Sequence, residues 1–270
     1  MPLVLVPTPI GNLGDITLRA LEELKSADVI ACEDTRHSGV MLAHYGIKTP
    51  LMSYQKFNEQ SRVAEILQRL AAGDKVAVIS DAGTPGMSDP GYIALKAAID
   101  GGYQVDVLPG ATAFVPAVLL SGILPQPFTF VGFLSDQKGE RVAQLKELKA
   151  IPHTIIFYLS PHKAAKQLLD FIEVLGDRNA ALVREISKIY QEARRGTLSS
   201  ILSSIGEGVK GELVLVVEGA GHAEVSDAMW QERALSMRSG GLPVKKIAET
   251  LSAELSIPKN KIKSWLLAQK

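Results

Sequence analysis

The chain has 270 residues, 46% of them hydrophobic, and its 29 Lys+Arg are balanced by 29 Asp+Glu. That is enough apolar material for one large or two ordinary domains, and a formal net charge of zero excludes a global field drawing in nucleic acid or a membrane; such a partner must meet a local patch. The lone Cys32 excludes an internal disulfide, no apolar run reaches the roughly 18 residues of a spanning helix, and Met1 leads into a strand-like LVLV with no uncleaved signal peptide, so the expectation is a cytoplasmic protein with no membrane partner.

Leu3 to Val6 reads as a buried strand that runs into a Pro/Gly loop, PTPIGNLGD (Pro7 to Asp15). A helix follows, capped by Thr17, with Leu18, Leu21 and Leu24 along one face. Val29 to Cys32 is a second short strand, ended by five polar residues in a row, Glu33 to His37. A helix from Ser38 to Tyr45, a strand near Leu51 and an amphipathic helix come next; Val63, Ile66, Leu67 and Leu70 give that helix its apolar stripe and Gly73 closes it.

Lys75 to Ile79 has the Val/Ile content of a buried parallel strand and opens into SDAGTPGMSDPG (Ser80 to Gly91). Gly83, Gly86 and Gly91 let this backbone turn through positive φ and approach a ligand closely, while Pro85 and Pro90 stiffen it. A helix from Tyr92 to Asp100 and a strand from Gln104 to Leu108 lead to a third small-residue loop, PGATA (Pro109 to Ala113). Three ligand-type loops then end strands of one sheet, and alternating β and α elements imply a parallel sheet with helices on both faces.

Two prolines within Leu124 to Pro127 mark a boundary. Beyond it the expected strands are Phe128 to Val131, Thr154 to Leu159, Ala180 to Arg184 and Leu213 to Val217, with helices near Gly139 to Leu148, Pro161 to Leu175 and Thr197 to Ser204. Leu134 to Arg141 reads as a polar, mobile loop, and GAGHAE (219–224) as a linker. The tail shows two apolar stripes, Val244, Ile247, Ala248 and Leu251, then Ile262, Trp265 and Leu266. From Gln231 to Lys270 it carries eight Lys/Arg against three Glu, a net of +5. The expected organisation is an N-terminal α/β domain with the ligand loops over 1–123, a second α/β domain over 124–222 and a basic helical tail over 223–270.

The first strand is followed by neither GxGxxG nor a Walker loop, so phosphate cradles are weak and a phosphate-free adenosine ligand fits better. The five histidines are scattered, no HExxH or Cys/His pair occurs and no GxSxG elbow is present; no metal site and no hydrolase is expected. Cys32, inside an apolar strand, reads as a small buried hydrophobe.

PTPIGNLGDIT, CEDTRHSG, SDAGTPGMSDPGY, LPGATA, TIIFY, VREISK and GELVLVVEG, in this order, closely resemble the small-subunit ribosomal RNA methyltransferase I family. The resemblance covers nearly the whole chain, and EDTRHSG and DAGTPGMSDPGY at this spacing are its most specific motifs. It implies an α/β fold of two α/β domains of the tetrapyrrole methylase (class III methyltransferase) type with a small helical C-terminal appendage. It further implies S-adenosyl-L-methionine as cofactor in a cleft between the domains, a homodimer, and 2'-O-methylation of the ribose of cytidine 1402 in 16S rRNA within the small ribosomal subunit.

Carried onto this sequence, the resemblance implies cofactor contacts at Ile10, Gly83, Thr84, Met87, Thr112 and Ala113, with Leu159 and Glu185 or Ile186 closing the cleft from the second domain. Methylating a hydroxyl needs in-line approach and a group to accept its proton. The polar cluster supplies candidates: Glu33 or Asp34 to orient or deprotonate the hydroxyl and Arg36 to hold a neighbouring phosphate, with Asn58, Glu59, Asp81, Ser88 and Asp89 as further candidates. In a purely structural reading Asp34 and Arg36 form a helix-capping salt bridge instead. The family often places His before Asn-Glu; this chain has Phe57 before Asn58 and Glu59, so no histidine base is available there.

RNA contact is expected at Lys138 and Arg141, at Arg194 and Arg195, and on the tail at Lys245, Lys246, Lys259, Lys261 and Lys263. For the tail, dimer packing and plain solubility stand beside RNA contact. The rival activities are a tetrapyrrole (corrin/porphyrin precursor) C-methyltransferase, whose first loop would more typically read VGxGPG than PTPIGNLG, and a non-catalytic, cofactor-sensing RNA-binding module.

Overall fold

The computed structural model describes residues 2–206, 208–221, 227–255 and 257–269, so His222 and Lys270 lie outside the described residues, as does half of the expected linker. By contacts the chain divides into two units, Met1–Gly219 and Ala220–Lys270.

In the first unit, β1 (Leu3–Leu5), β2 (Val29–Cys32), β3 (Leu51–Ser53), β4 (Val76–Ile79) and β5 (Val105–Val107) form one sheet in the order β3-β2-β4-β1-β5. Every pairing is parallel. The three central strands are apolar and buried at every residue, as a parallel sheet covered on both faces requires. Leu3 and Leu5 face a core with α3 (Glu59–Ala72) and α4 (Tyr92–Asp100); Val4 and Val6 face the opposite core with α1 (Leu18–Ser26) and α2 (Thr35–His44). Leu18 departs from the expected face: it is 80% exposed, because as the first helical residue after the Thr17 cap it lies off the stripe set by Ala20 and Leu24.

α5 (Phe114–Ser121) follows β5 but buries Ala117 and Val118 against the second sheet, which joins the two sheets into one body. That sheet has β6 (Phe128–Phe133), β7 (Thr154–Leu159), β8 (Asn179–Arg184), β9 (Glu192–Thr197) and β10 (Leu213–Val217) in the order β6-β7-β10-β8-β9. Only β6 and β7 pair in parallel. α6 (Lys138–Leu148), α7 (Ala164–Leu175) and α8 (Leu198–Ile205) pack on the face opposite α5.

One strand was not expected, and one expectation is corrected. β9 reads EARRGT and has no apolar pattern; it is an edge strand held by β8 alone, where charged side chains are tolerated. Leu134 to Arg141 is not one polar loop: Leu134 is core, α6 starts at Lys138, and Arg141 is buried.

The second unit is three helices, α9 (Asp227–Ser239), α10 (Val244–Leu255) and α11 (Lys259–Ala268). The two apolar stripes of the tail meet each other here, Ile247, Ala248 and Leu251 packing with Ile262 and Leu266 around Trp230. Trp230 meets Trp265 edge-on at 5.1 Å, and its indole N–H donates to Asp227. Trp230→Ala is expected to destabilise this unit by about 3–5 kcal/mol. The chain has two tryptophans, both in this unit. Denaturant titration of the full chain followed by the fluorescence of the remaining Trp265 therefore reads the loss directly. Among the described residues no helix is long and apolar enough to cross a membrane.

Candidate active site

The loops after β1, β4 and β5 are tied together at Gly83 and Thr84. Thr8 and Gly83 exchange backbone hydrogen bonds of 2.9 and 3.0 Å, and the Thr8 hydroxyl donates to the Ser80 carbonyl. Gly83 has φ +83; a Cβ there would stand 3.4 Å from Ile10, so the β1 loop closes directly over it. The Thr84 hydroxyl donates to the Ala111 carbonyl at 3.0 Å, bringing in the third loop. These loops lie at the carboxyl ends of the parallel strands, where ligands sit in open α/β sheets.

The three loops form one wall of a cleft of about 500 Å³. Ile10, Gly83, Thr84, Met87, Thr112 and Ala113 line that wall, and Leu159 and Ile186 line the other, so the structure brings together eight of the nine residues expected at a cofactor. Glu185 is the exception. Its backbone turns left-handed (φ +51), and its carboxylate accepts from the Glu212 N–H (2.9 Å) and from Lys188 Nζ (3.0 Å). The backbone hydrogen bond first, then Lys188, hold its carboxyl below the usual range, and Ile186 alone of this pair faces the cleft. Sequence reasoning missed Phe133 and Tyr158, which also line it. They meet edge-on at 5.4 Å, and burial pushes the Tyr158 phenol up. Aromatic residues at the last positions of apolar strands were the available signal.

Four carboxylates, Glu33, Asp81, Asp89 and Glu212, line the cleft, and no lysine, arginine or histidine does so among the described residues. Burial, then repulsion from Asp81 and Asp89, raises the Glu33 carboxyl; burial, then Asp81 and Glu212, pushes Asp89 up to about 6. Asp81 accepts from the backbone N–H of Asp34 at 3.1 Å. Of the three residues expected at the chemistry only Glu33 faces the cleft. Asp34 caps α2, accepting from the backbone N–H groups of Arg36 (2.8 Å) and His37 (3.4 Å), and pairs with the Arg36 guanidinium at 3.2 Å. The Arg36 side chain is 91% exposed, and its hydrogen bond lowers the Asp34 carboxyl. Asp34 and Arg36 thus form the capping pair of the structural reading.

This donor set suits a cationic, phosphate-free ligand. It has no base for a phosphate, it offers small residues and backbone groups to an uncharged ring system, and its carboxylates favour positive charge.

Residues 2–202 match the family model of the Tetrapyrrole (Corrin/Porphyrin) Methylases. A "Ribosomal RNA small subunit methyltransferase I" from Bacillus subtilis (strain 168) is 42% identical over 96% of this chain and 92% of the relative, and one from Mesorhizobium japonicum is 43% identical over 91% and 84%. The chain belongs to the ribosomal RNA small subunit methyltransferase I family. The fold of this methyltransferase family is also that of diphthine synthase (TM-score 0.63, 14% identity, 81% of this chain and 90% of that one). It is shared as well with a Thermus thermophilus uroporphyrin-III C-methyltransferase complexed with S-adenyl homocysteine (TM-score 0.58, 20% identity, 80% and 97%).

The cations expected at RNA separate into three sets in this chain. Arg141 is withdrawn: it is 2% exposed and its guanidinium is fully used inside the protein. Lys138 stays exposed near Asp170 and Glu173; Arg194 is held by Glu192 and the Ser204 carbonyl, and Arg195 donates to the Leu120 carbonyl. In the second unit Lys245, Lys246 and Lys259 are exposed, Lys261 pairs with Asp227, and Lys263 is half-buried.

Proposed function

We propose that the chain methylates the ribose 2'-hydroxyl of cytidine 1402 in 16S rRNA, using S-adenosyl-L-methionine and acting as a cytoplasmic homodimer on the assembled small ribosomal subunit. The observation that carries this reading is the near full-length relationship, at 42% identity, to a relative named for methylating small-subunit ribosomal RNA. The cleft supports it: a site rich in carboxylates and, among the described residues, without lysine, arginine or histidine accommodates a cofactor with a positively charged sulfur and no phosphate.

The bound cofactor supplies an electrophilic methyl group on a sulfonium. The chain's own part is to hold it and to manage a proton. Ile10, Gly83, Thr84, Met87, Thr112 and Ala113 hold it from the first sheet, and Leu159 and Ile186 from the second. Glu33 faces the same space as a carboxylate that orients the incoming hydroxyl. The exposed Lys245, Lys246 and Lys259 of the three-helix unit, with Lys138 on α6, offer phosphate contacts that position the subunit without reading its sequence.

The test is transfer of labelled methyl to small subunits from a strain lacking this protein, followed by mapping of the modified nucleotide. Label on one ribose at cytidine 1402 is the expected result. Label absent from subunits and naked rRNA, with cofactor binding confirmed, would sink this reading and turn attention to tetrapyrrole substrates.

A further inference from the structure

We propose that Asp89 is the catalytic residue that accepts the proton of the ribose hydroxyl during methyl transfer. The proposal rests on the methyltransferase reading above and deepens it. Its grounds are the hydrogen bonds of the four carboxylates, the build of the loop that carries Asp89, and its place in the lining of the cleft.

Among the described residues, Asp81 is engaged by the Asp34 N–H and Glu212 by Lys188 Nζ at 3.2 Å. Glu33 and Asp89 have free carboxyl groups. They differ in position: Glu33 follows the last residue of β2, whereas Asp89 lies in the braced loop after β4 and keeps accessible surface while its carboxyl lines the cleft. Ser88, the residue before it, is held at φ +72, a conformation that is costly for any residue but glycine and that collects at functional sites.

The loop is fixed on both flanks. The Gly86 N–H donates to the Pro90 carbonyl at 3.0 Å, Pro90 is buried, and the Gly91 N–H donates to the buried Glu59 carboxylate at 3.1 Å. Gly91 has φ +141, and a Cβ there would stand 2.9 Å from Gly86 N. Such bracing keeps one exposed carboxylate in place. The titratable groups around Asp89 are Asp81, Glu33, Glu212 and Tyr158, none of them cationic; loss of hydration of its carboxyl in the cleft, then Asp81 and Glu212, push it up to about 6, the proton affinity of a base working near neutrality.

In the step, the ribose oxygen forms its bond to the methyl carbon as the carbon–sulfur bond breaks. The electron pair of the broken bond stays on sulfur, and the hydroxyl proton passes to the Asp89 carboxylate. Charge balances: a sulfonium and a carboxylate become a thioether and a carboxylic acid.

The experiment compares Asp89→Asn with Glu33→Gln. Asp89→Asn is expected to lower kcat by about 100-fold or more and to remove the acid limb of the kcat/KM profile near pH 6, with cofactor binding by calorimetry retained. A second arm needs no cofactor. A carboxyl raised from 3.8 to about 6 on folding holds a proton in the folded state that the unfolded state has released. Its stabilisation is complete below pH 3.8 and is lost as pH rises through about 6. The melting temperature of the wild type should therefore fall relative to Asp89→Asn across that window, leaving the variant at least as stable above it. Asp89→Asn keeping kcat within about threefold, or Glu33→Gln alone removing the acid limb, overturns the proposal. Should the wild type methylate no subunit, the functional reading fails instead, and wild-type and variant melting curves parallel in pH would then overturn the perturbed carboxylate independently.

Discussion

Asp170→Ala is expected to lower the stability of the first unit by about 3–5 kcal/mol, because it strands the Arg141 charge inside the protein. Arg141 donates from Nε (2.8 Å) and Nη2 (2.6 Å) to one oxygen of Asp170 and from Nη1 to the Ser135 (2.9 Å) and Asp136 (3.0 Å) carbonyls. Both side chains are under 5% exposed. The pair therefore joins α6, α7 and the turn after β6, and removing Asp170 leaves the buried Arg141 guanidinium without its counter-ion. Replacing both at once, as Arg141→Met with Asp170→Leu, restores most of the loss, since well-packed apolar residues serve a buried site at least as well as an ion pair. Arg141→Lys sits between, having the charge without the planar fork. Urea titration of the four proteins checks the order.

Arg141 also shows what the sequence leaves hidden. Its neighbours read LSDQKGER, and nothing local distinguishes an arginine aimed at solvent from one whose partner is 29 residues away on another helix. β9 was missed for a related reason: an edge strand needs apolar side chains less than it needs a neighbour, and its neighbour β8 supplies the ladder. The central strands LVL, VIAC, VAVI and LVLVV were legible because burial on both faces demands an unbroken apolar run. The loop residues now at the cleft were legible because Gly and Pro clusters at strand ends carry their backbone geometry in their own sequence. At Glu185 and Ile186, however, one left-handed residue decides which of two neighbours faces inward, and that turn is set by Glu212, 27 positions on. The parting of Asp34 and Arg36 from Glu33 is likewise a matter of where α2 begins: at Thr35 rather than Ser38, with Asp34 as its cap.

Glu59→Ala should cost about 2–4 kcal/mol of stability and reduce turnover by more than that loss accounts for. The Glu59 carboxylate is buried and receives the Tyr54 hydroxyl at 2.6 Å and the Gly91 N–H at 3.1 Å; Tyr54 in turn accepts from the Ala94 N–H at 3.3 Å. Burial first, then Glu59, pushes the Tyr54 phenol well above its usual range, so it remains a neutral donor to the carboxylate. With alanine, two donors are left without an acceptor in the interior, each at about 1–3 kcal/mol. Gly91 follows Asp89 by two residues, so releasing its N–H frees the end of the loop that also carries Thr84 and Met87 of the cleft wall. Glu59→Gln keeps a carbonyl oxygen for both donors and is expected to retain most stability and most turnover. Phe57, at the position where the family often has histidine, is 87% exposed and outside this network, so Phe57→Ala should leave the melting temperature within about two degrees of the wild type. Melting temperatures set against kcat measured well below them separate the two effects: if Glu59→Ala lost stability alone, with full turnover at low temperature, the loop would hold its shape without this anchor.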